Sequence, residues 1–400
     1  MDVIPSLTTN KHIVISGAGI AGLTTAILLS ELDTTIDIYE QAKNLSPIGA
    51  GIQLPPNSMK ILSYIGLENQ IKQNAIRANQ LKIYDAINGK NYINLPLSNK
   101  NDYYLIDRAT LQTILLNKVR SLPNVNLFFG QKINNFKIDN SKIHININNK
   151  IIKPDLLLAC DGVWSNARKF FLPNEEAYFT GDNVWRAYSK NQQFIHKDLT
   201  DNISCNDIVI ALAKKQHLIL YPTNKNKDIN LVLVVKDKIS SAKQWNITSK
   251  AKDFLSHIND WHKDFKKIFT DNLEWKKYPL YIMKNANYYG RYNCLLLGDA
   301  AHTIYPFAAQ GAAMALEDAC YLFTSFKKFG INQIAIDHFI KARLPRINKI
   351  QNRSLFNKKI YNANFLLKLG RNIAFKYRKP QSFINDLNWI YDYDATKLSD

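Results

Sequence analysis

The sequence predicts an α/β fold with a Rossmann-type nucleotide-binding core, an interleaved mixed-sheet domain and a helical C-terminal segment. Three observations carry this. The chain opens on a β-branched run, a glycine-rich turn and a helix. From about Gly181 to Leu280 the pattern changes to strands with polar alternation. Strands that end in a small-residue turn recur near Asp161 and Asp299, before helices finish the chain. With 400 residues, 46% hydrophobic and 21% charged, the chain can bury a large core and is not disordered. No apolar run reaches the roughly 18 residues of a membrane span.

His12 to Ser16 reads as a buried strand, Gly17-Ala18-Gly19-Ile20-Ala21-Gly22 as its turn and Leu23 to Leu32 as the helix. Gly17 suits the tight turn, Gly19 a backbone approach to pyrophosphate, and Gly22 close packing of helix on strand. A second strand, Thr35 to Tyr39, delivers Glu40 18 residues beyond Gly22, where a carboxylate accepts ribose hydroxyls of an adenine dinucleotide. The stretch Ile13 to Leu29 could mimic a signal peptide, but its glycine spacing and the following Glu31 and Asp33 favour a first βα unit.

Gly49-Ala50-Gly51-Ile52-Gln53-Leu54-Pro55-Pro56-Asn57 is too glycine-rich for a strand and is expected to be a loop, either a close approach to a flat ring or a plain connection. A helix from Met59 to Ile65 follows. Asn88-Gly89, between Leu81–Asp85 and Tyr92–Leu95, signals a hairpin and a second sheet. Ile106 opens a helix running to Ser121 with Asp107 as a candidate cap, and Arg108 in its first turn opposes the helix dipole. That placement suggests a phosphate or a ring edge as partner. Leu127–Phe129 and the alternating Lys137–Ile147 stretch read as strands. Pro154 to Cys160 is a buried strand delivering Asp161-Gly162, with Ser165 as a helix cap and Arg168 placed to pair with Asp161.

Strands are expected at Val184–Tyr188, Asp207–Ala213, His217–Tyr221 and Ile229–Val235, covered by a helix around Ala251 to Ile268. Period-two geometry puts His217, Ile219 and Tyr221 on one face. Such a pair can hold and deprotonate a phenol, or be two ordinary polar residues. Tyr292–Leu297 reads as a strand, followed by Gly298-Asp299 and a helix from Gly311 to about Phe326 whose N-terminus favours negative charge on a ligand. The aromatic cluster Trp389-Ile390-Tyr391-Asp392-Tyr393 reads as packing.

Cys160, Cys205, Cys294 and Cys320 are far apart and form no metal-type pair, so reduced core thiols and a cytoplasmic location are expected, with no metal. The net charge is +19, and Lys341 to Lys379 holds 12 Lys and Arg with no Asp or Glu. No nucleic-acid motif accompanies it, so nucleic acid is not an expected partner. A solvated helical face explains the charge, and loose contact of these basic helices with an anionic membrane stays open.

Three separated segments together resemble the single-component FAD-dependent aromatic hydroxylases, the group A flavoprotein monooxygenases. They are the Gly17-Gly19-Gly22 fingerprint with Glu40, Asp161-Gly162 with Arg168, and Gly298-Asp299 through Pro306 and Gly311. The 51–57 stretch, Trp185-Arg186 and the closing aromatic cluster look most like the salicylate hydroxylase branch, which includes hydroxylases of 3-hydroxybenzoate and 6-hydroxynicotinate. The resemblance implies a glutathione reductase-like FAD domain at 11–75, 100–180 and 285–340, a substrate-binding sheet domain at 76–99 and 181–284, and C-terminal helices at 341–400. Gly17, Gly19, Ala21, Gly22 and Glu40 then hold the ADP half of FAD, and Arg108 contacts the flavin nucleotide. Asp161, Asp299, Pro306, Gly311 and Ala312 meet the rest of the cofactor, together with Gly51 and Ile52. His217, Tyr221 and Pro306 line the aromatic pocket, with His217 as base and Tyr221 orienting. Arg186 either holds an anionic substrate or supports the fold. NADH or NADPH is the transient reductant, and O2 is activated at flavin C4a. Salicylate would lose CO2 to give catechol, and the protein would be a monomer or homodimer. Gln41 follows Glu40 where the family often has Arg, and Ala309 stands where Gly is frequent. The first departure bears on a phosphate contact, the second on how freely the backbone turns beside the flavin. Two other readings stay open, a hydroxylase of a membrane-associated quinone precursor and a non-hydroxylating flavin protein that oxidises NADH.

Overall fold

A computed structural model describes residues 10–45, 50–97, 102–190, 206–226, 228–237, 247–269, 273–363 and 365–397. Gly49 and Cys205, both named above, lie outside the described residues. The nucleotide-binding core is a five-stranded parallel sheet in the order Cys294–Leu296, Leu156–Ala159, Lys11–Ser16, Thr34–Glu40, Val125–Phe129. Ile13 and Ile15 of the central strand point to the main core, against the helices Ile20–Leu29 and Gly311–Phe329. Val14, Tyr39, Leu157 and Cys294 point the other way, onto Ile143, Ile145 and Ile147 of a three-stranded antiparallel sheet. Burial on both faces explains why these parallel strands read as continuous apolar runs.

The second layer is an eight-stranded sheet in the order Ile247–Ser249, Trp275–Ile282, Tyr178–Ser189, Ile229–Lys236, Gln216–Pro222, Ile208–Ala213, Gln80–Asp85, Asn91–Pro96. All its pairs are antiparallel except Ile208–Ala213 with Gln80–Asp85. One face carries Trp185, Leu218, Leu220 and Leu233 into a core with Phe254 and Trp275. The expected covering helix is instead broken into short turns, Lys252–Leu255, Ser256–Ile258 and Lys263–Lys266. The chain folds back on itself there to wedge Trp261 and Phe265 into the sheet. The opposite face carries Arg186, His217 and Tyr221.

Other expectations need correction. The glycine-rich stretch is a strand, Gly51–Leu54, paired antiparallel with Tyr104–Asp107 (Gly51 opposite Asp107, Ile52 opposite Ile106). Ile106 therefore lies in a strand instead of opening a helix, and Asp107, which ends that strand, caps the helix Arg108–Arg120 by accepting the Thr110 N–H at 3.0 Å. The first helix runs Ile20–Leu29, starting inside the glycine turn. The basic C-terminal stretch is only partly a solvated face, because Arg343 and Arg346 are buried against acids. Cys160, Cys294 and Cys320 are free and buried. Among the described residues no helix is long and apolar enough to cross a membrane.

Candidate active site

Three turns meet where adjacent parallel strands end: Gly17 after Lys11–Ser16, Asp161 after Leu156–Ala159, and Gly298-Asp299 after Cys294–Leu296. In an open α/β sheet this carboxyl edge is where ligands bind. Gly17 has φ +101°, and a Cβ there would lie 2.6 Å from the Cys160 carbonyl oxygen. Glu40 turns back on the first turn, accepting the Ala18 N–H and the Ala42 N–H, each at 2.8 Å. Gly19, by contrast, faces open space, with nothing within 4 Å of a Cβ built on it. Its bare backbone opens the Ile20–Leu29 helix N-terminus, the geometry that accepts phosphate. Gly311, at the start of the Gly311–Phe329 helix, is bare in the same way.

The Asp161 carboxylate accepts the Asn166 N–H at 2.8 Å and the Ala167 N–H at 3.4 Å, while its Oδ1 is buried without a partner. Burial pushes this carboxyl above the usual range against those hydrogen bonds. Ser165 caps the following helix as expected, accepting the Arg168 N–H at 3.0 Å. The expected Arg168–Asp161 ion pair does not form. Arg168 is buried and donates to the carbonyls of Val163, Asp299 (3.4 Å) and Ala300 (2.8 Å), sharing the Asp299 oxygen with the Thr303 hydroxyl at 2.7 Å. It thereby latches the second turn to the third.

The third turn is fixed from behind. Asp318 accepts the Gly298 N–H at 3.1 Å, Tyr288 Oη at 2.8 Å and Arg343 Nε at 3.0 Å, and meets His302 Nε2 at 2.5 Å. Neighbouring Glu317 pairs with Arg343 at 2.7 Å and Arg346 at 2.8 Å. Asn57 joins Glu317 (2.8 Å) to Gln310 (2.9 Å) at the head of the Gly311–Phe329 helix. Burial opposes charge on both acids, but Arg343 at Glu317, His302 and then Arg343 at Asp318, and the hydrogen bonds outweigh it and hold both below the usual carboxylate range. Sequence reasoning missed this network, although two acids inside an apolar helix are a signal that buried cations must answer them.

Asp299 itself is solvent-accessible yet hemmed in by protein, which pushes its carboxyl up against the pull of His302, Arg108 and Arg168. Arg108 is exposed at the cleft and its charge is felt at both Asp299 and Arg186. Pro306 is exposed, while Phe307 beside it is buried with its ring 5.1 Å from that of His217. Ala309 adopts the left-handed conformation (φ 51°, ψ 35°) that a glycine takes easily. Ile52 and Ala312 are half-buried, and Ala21 lies against Gly298, whose Cβ would be 3.0 Å from the Ala21 Cβ.

Across the cleft, Gln216–Pro222 is an interior strand that puts His217 and Tyr221 on one face. They occupy separate neighbourhoods and do not touch. His217 is fully buried between Phe307 and Tyr361 (ring centroids 5.1 and 5.3 Å), and neither ring nitrogen has a partner. Burial, helped by the Lys358 charge, pushes its pKa down to about 3. Tyr221 packs against Gly51 and receives a hydrogen bond from Gln53, which also accepts Tyr103 Oη at 2.6 Å. Arg186 lies over the Tyr278 ring at 5.6 Å with its Nε buried and unpartnered. Among the described residues no carboxylate pairs with it. Burial, then the nearby Arg108, pushes its pKa down. Gln53, Tyr103, Phe307, Lys358 and Tyr361 were not anticipated, because they arrive from distant segments.

The family model described as FAD binding domain matches residues 10–349. The chain is 25% identical over 393 residues to 3-hydroxybenzoate 6-hydroxylase of Polaromonas naphthalenivorans, covering 96% of each. It is 26% identical to 6-hydroxynicotinate 3-monooxygenase of Bordetella bronchiseptica, covering 86% of this chain and 88% of that one. In structure it is similar to a salicylate hydroxylase substrate complex, with TM-score 0.81, 18% identity and coverage of 97% and 96%. It is also similar to Klebsiella pneumoniae HpxO complexed with FAD and uric acid, with TM-score 0.80, 19% identity and coverage of 94% and 95%. Bare glycines at two helix N-termini, an orphaned Asp161 oxygen and Glu40 beside the first turn fit a dinucleotide stretched over the sheet edge. The chain thus belongs to the FAD-binding domain family, among the single-component FAD-dependent aromatic hydroxylases.

Proposed function

We propose that this protein hydroxylates a small phenolic aromatic carboxylate, with salicylate to catechol and CO2 as the specific reaction. The observation that carries it is a half-buried Arg186, its Nε buried without a partner and no carboxylate paired with it among the described residues, on the same sheet face as an unpartnered, neutral His217. A guanidinium with a buried, unpartnered nitrogen is costly unless an anion completes it. 3-Hydroxybenzoate and 6-hydroxynicotinate, in the names of its relatives, share with salicylate a ring bearing carboxylate and hydroxyl.

In this reading Gly17, Gly19, Ala21, Gly22 and Glu40 hold the ADP half of FAD, and Arg108, Gly51 and Ile52 flank the flavin nucleotide. Asp161, Asp299, Pro306, Gly311 and Ala312 hold the remainder. When bound and reduced by NADH or NADPH, FAD supplies the activated oxygen. The electrophilic oxygen needs an electron-rich ring. His217 stays neutral across the working pH range, so its ring nitrogen is free to accept a hydrogen bond from the phenolic O–H, which draws the hydrogen away from the oxygen and raises the ring's electron density. Arg186 holds the carboxylate, and Tyr221 and Pro306 set the ring's plane. The domain division at 11–75, 100–180 and 285–340, 76–99 and 181–284, and 341–400 accompanies this assignment.

A screen of hydroxybenzoates for stimulated NADH and NADPH consumption, with products identified by mass spectrometry, tests it. Salicylate is expected to give catechol. Turnover of a quinone precursor alone, or NADH oxidation that no aromatic acid accelerates, would overturn it.

A further inference from the structure

The helix Phe365–Tyr377 has an apolar face turned away from the protein. Its inner face is accounted for: Arg371 is buried, Phe375 packs on Tyr92 and Phe383, and Lys368 pairs with Asp85 at 3.1 Å. On the outside, Leu366, Leu369, Ile373 and Tyr377 recur at helical spacing and are 77%, 55%, 51% and 73% exposed. Surface helices normally turn polar residues to water. Exposed Lys359, Lys376 and Lys379 flank this stripe, beside Arg378, which pairs with Asp386 at 2.7 Å, and no Asp or Glu occurs from Lys341 to Lys379.

We infer that this helix docks the protein on an anionic phospholipid bilayer. A second copy of the chain would cover the stripe equally well by area, but a two-fold contact sets this acid-free segment against itself, cation facing cation. An anionic bilayer satisfies both features at once. The apolar side chains enter the boundary between headgroups and acyl chains, and the cations stay at the phosphates. With 13 residues the helix is too short to cross, so it lies in the plane of the interface. Tyr361, which packs on His217, ends the preceding helix, so the docked surface begins a few residues from the pocket wall. The inference does not depend on the proposed substrate.

Co-sedimentation of the flavin-loaded full chain with vesicles tests it, comparing phosphatidylglycerol-containing with pure phosphatidylcholine vesicles. The wild type is expected to sediment with the anionic vesicles and to be released by salt. Leu369→Glu with Ile373→Glu should lower the partitioning ~tenfold or more while flavin absorbance and turnover stay unchanged. Protein that remains in the supernatant, or a double variant that sediments like the wild type, overturns the inference. So does a dimer, seen by light scattering, that the double variant dissociates while vesicles bind neither form.

Discussion

The Tyr221 ring occupies the space that a side chain at Gly51 would need: a Cβ there would lie 2.5 Å from Tyr221 Cε2. Both residues are held by their strands, and the Tyr221 hydroxyl is further held through Gln53. Gly51→Ala therefore forces the strands apart or tilts the ring. Chemical denaturation should show a loss of about 1–3 kcal/mol. In a double-mutant cycle with Tyr221→Leu, much of that loss should disappear. Simple additivity would show that the contact does not matter.

His217 gives a pH dependence with a definite sign. Its pKa falls from 6.5 to about 3 on folding, so the unfolded chain binds the extra proton in between. Stability from this residue is complete above about pH 6.5 and is lost as pH falls toward 3, by about 2 kcal/mol at pH 5. His217→Phe, which keeps a ring between Phe307 and Tyr361, should flatten the wild-type decline between pH 7 and 5. The same variant should retain FAD but lose ~10²–10⁴-fold in hydroxylation, with NADH consumption running on uncoupled.

Arg186→Met removes a cation that pairs with no carboxylate among the described residues. Replacing a half-buried, unpaired charge by an apolar side chain of similar length should leave unfolding stability within about 1 kcal/mol of wild type, or raise it. The KM for a hydroxybenzoate should rise at least ~tenfold, the cost of one charge-assisted hydrogen bond, while the matching hydroxybenzamide is unaffected. Equal effects on both ligands would assign Arg186 to the fold.

Arg343→Met leaves Glu317 and Asp318 buried with one cation fewer. Breaking such a network costs ~3–5 kcal/mol. Because Asp318 also anchors the Gly298 N–H, flavin retention should fall along with the melting temperature. Thermal unfolding with and without added FAD measures both.

What the sequence disclosed follows from how local each signal is. The Gly17-to-Glu40 unit was legible because strand, turn, helix and acid lie within thirty residues and each obeys a short-range rule. The face shared by His217 and Tyr221 followed from the two-residue repeat alone. The Gly51–Leu54 strand was missed because its glycine count argues against pairing, whereas the structure uses Gly51 to admit Tyr221 within a strand. Arg168 was assigned to the nearest acid, but its true acceptors are main-chain oxygens, one pair of them 131 and 132 residues away. No local pattern encodes a main-chain acceptor. The separation of His217 from Tyr221 follows from strand rise, about 13 Å over four residues, but the distant rings Phe307 and Tyr361 that enclose His217 were invisible.

The three turns come from the beginning, middle and last third of the chain, Arg168 and Asp318 latch the second and third of them, and the Cys294–Leu296 strand joins its sheet only beside Leu156–Ala159. During synthesis, the emerging N-terminal half carries its glycine fingerprint but has no third turn to close against. The cradle therefore completes late, after long-range loop closure that slows folding. Nascent chains stalled before Gly298 should leave the ribosome without retaining any yellow colour, so cofactor loading marks the end of folding and does not guide its start.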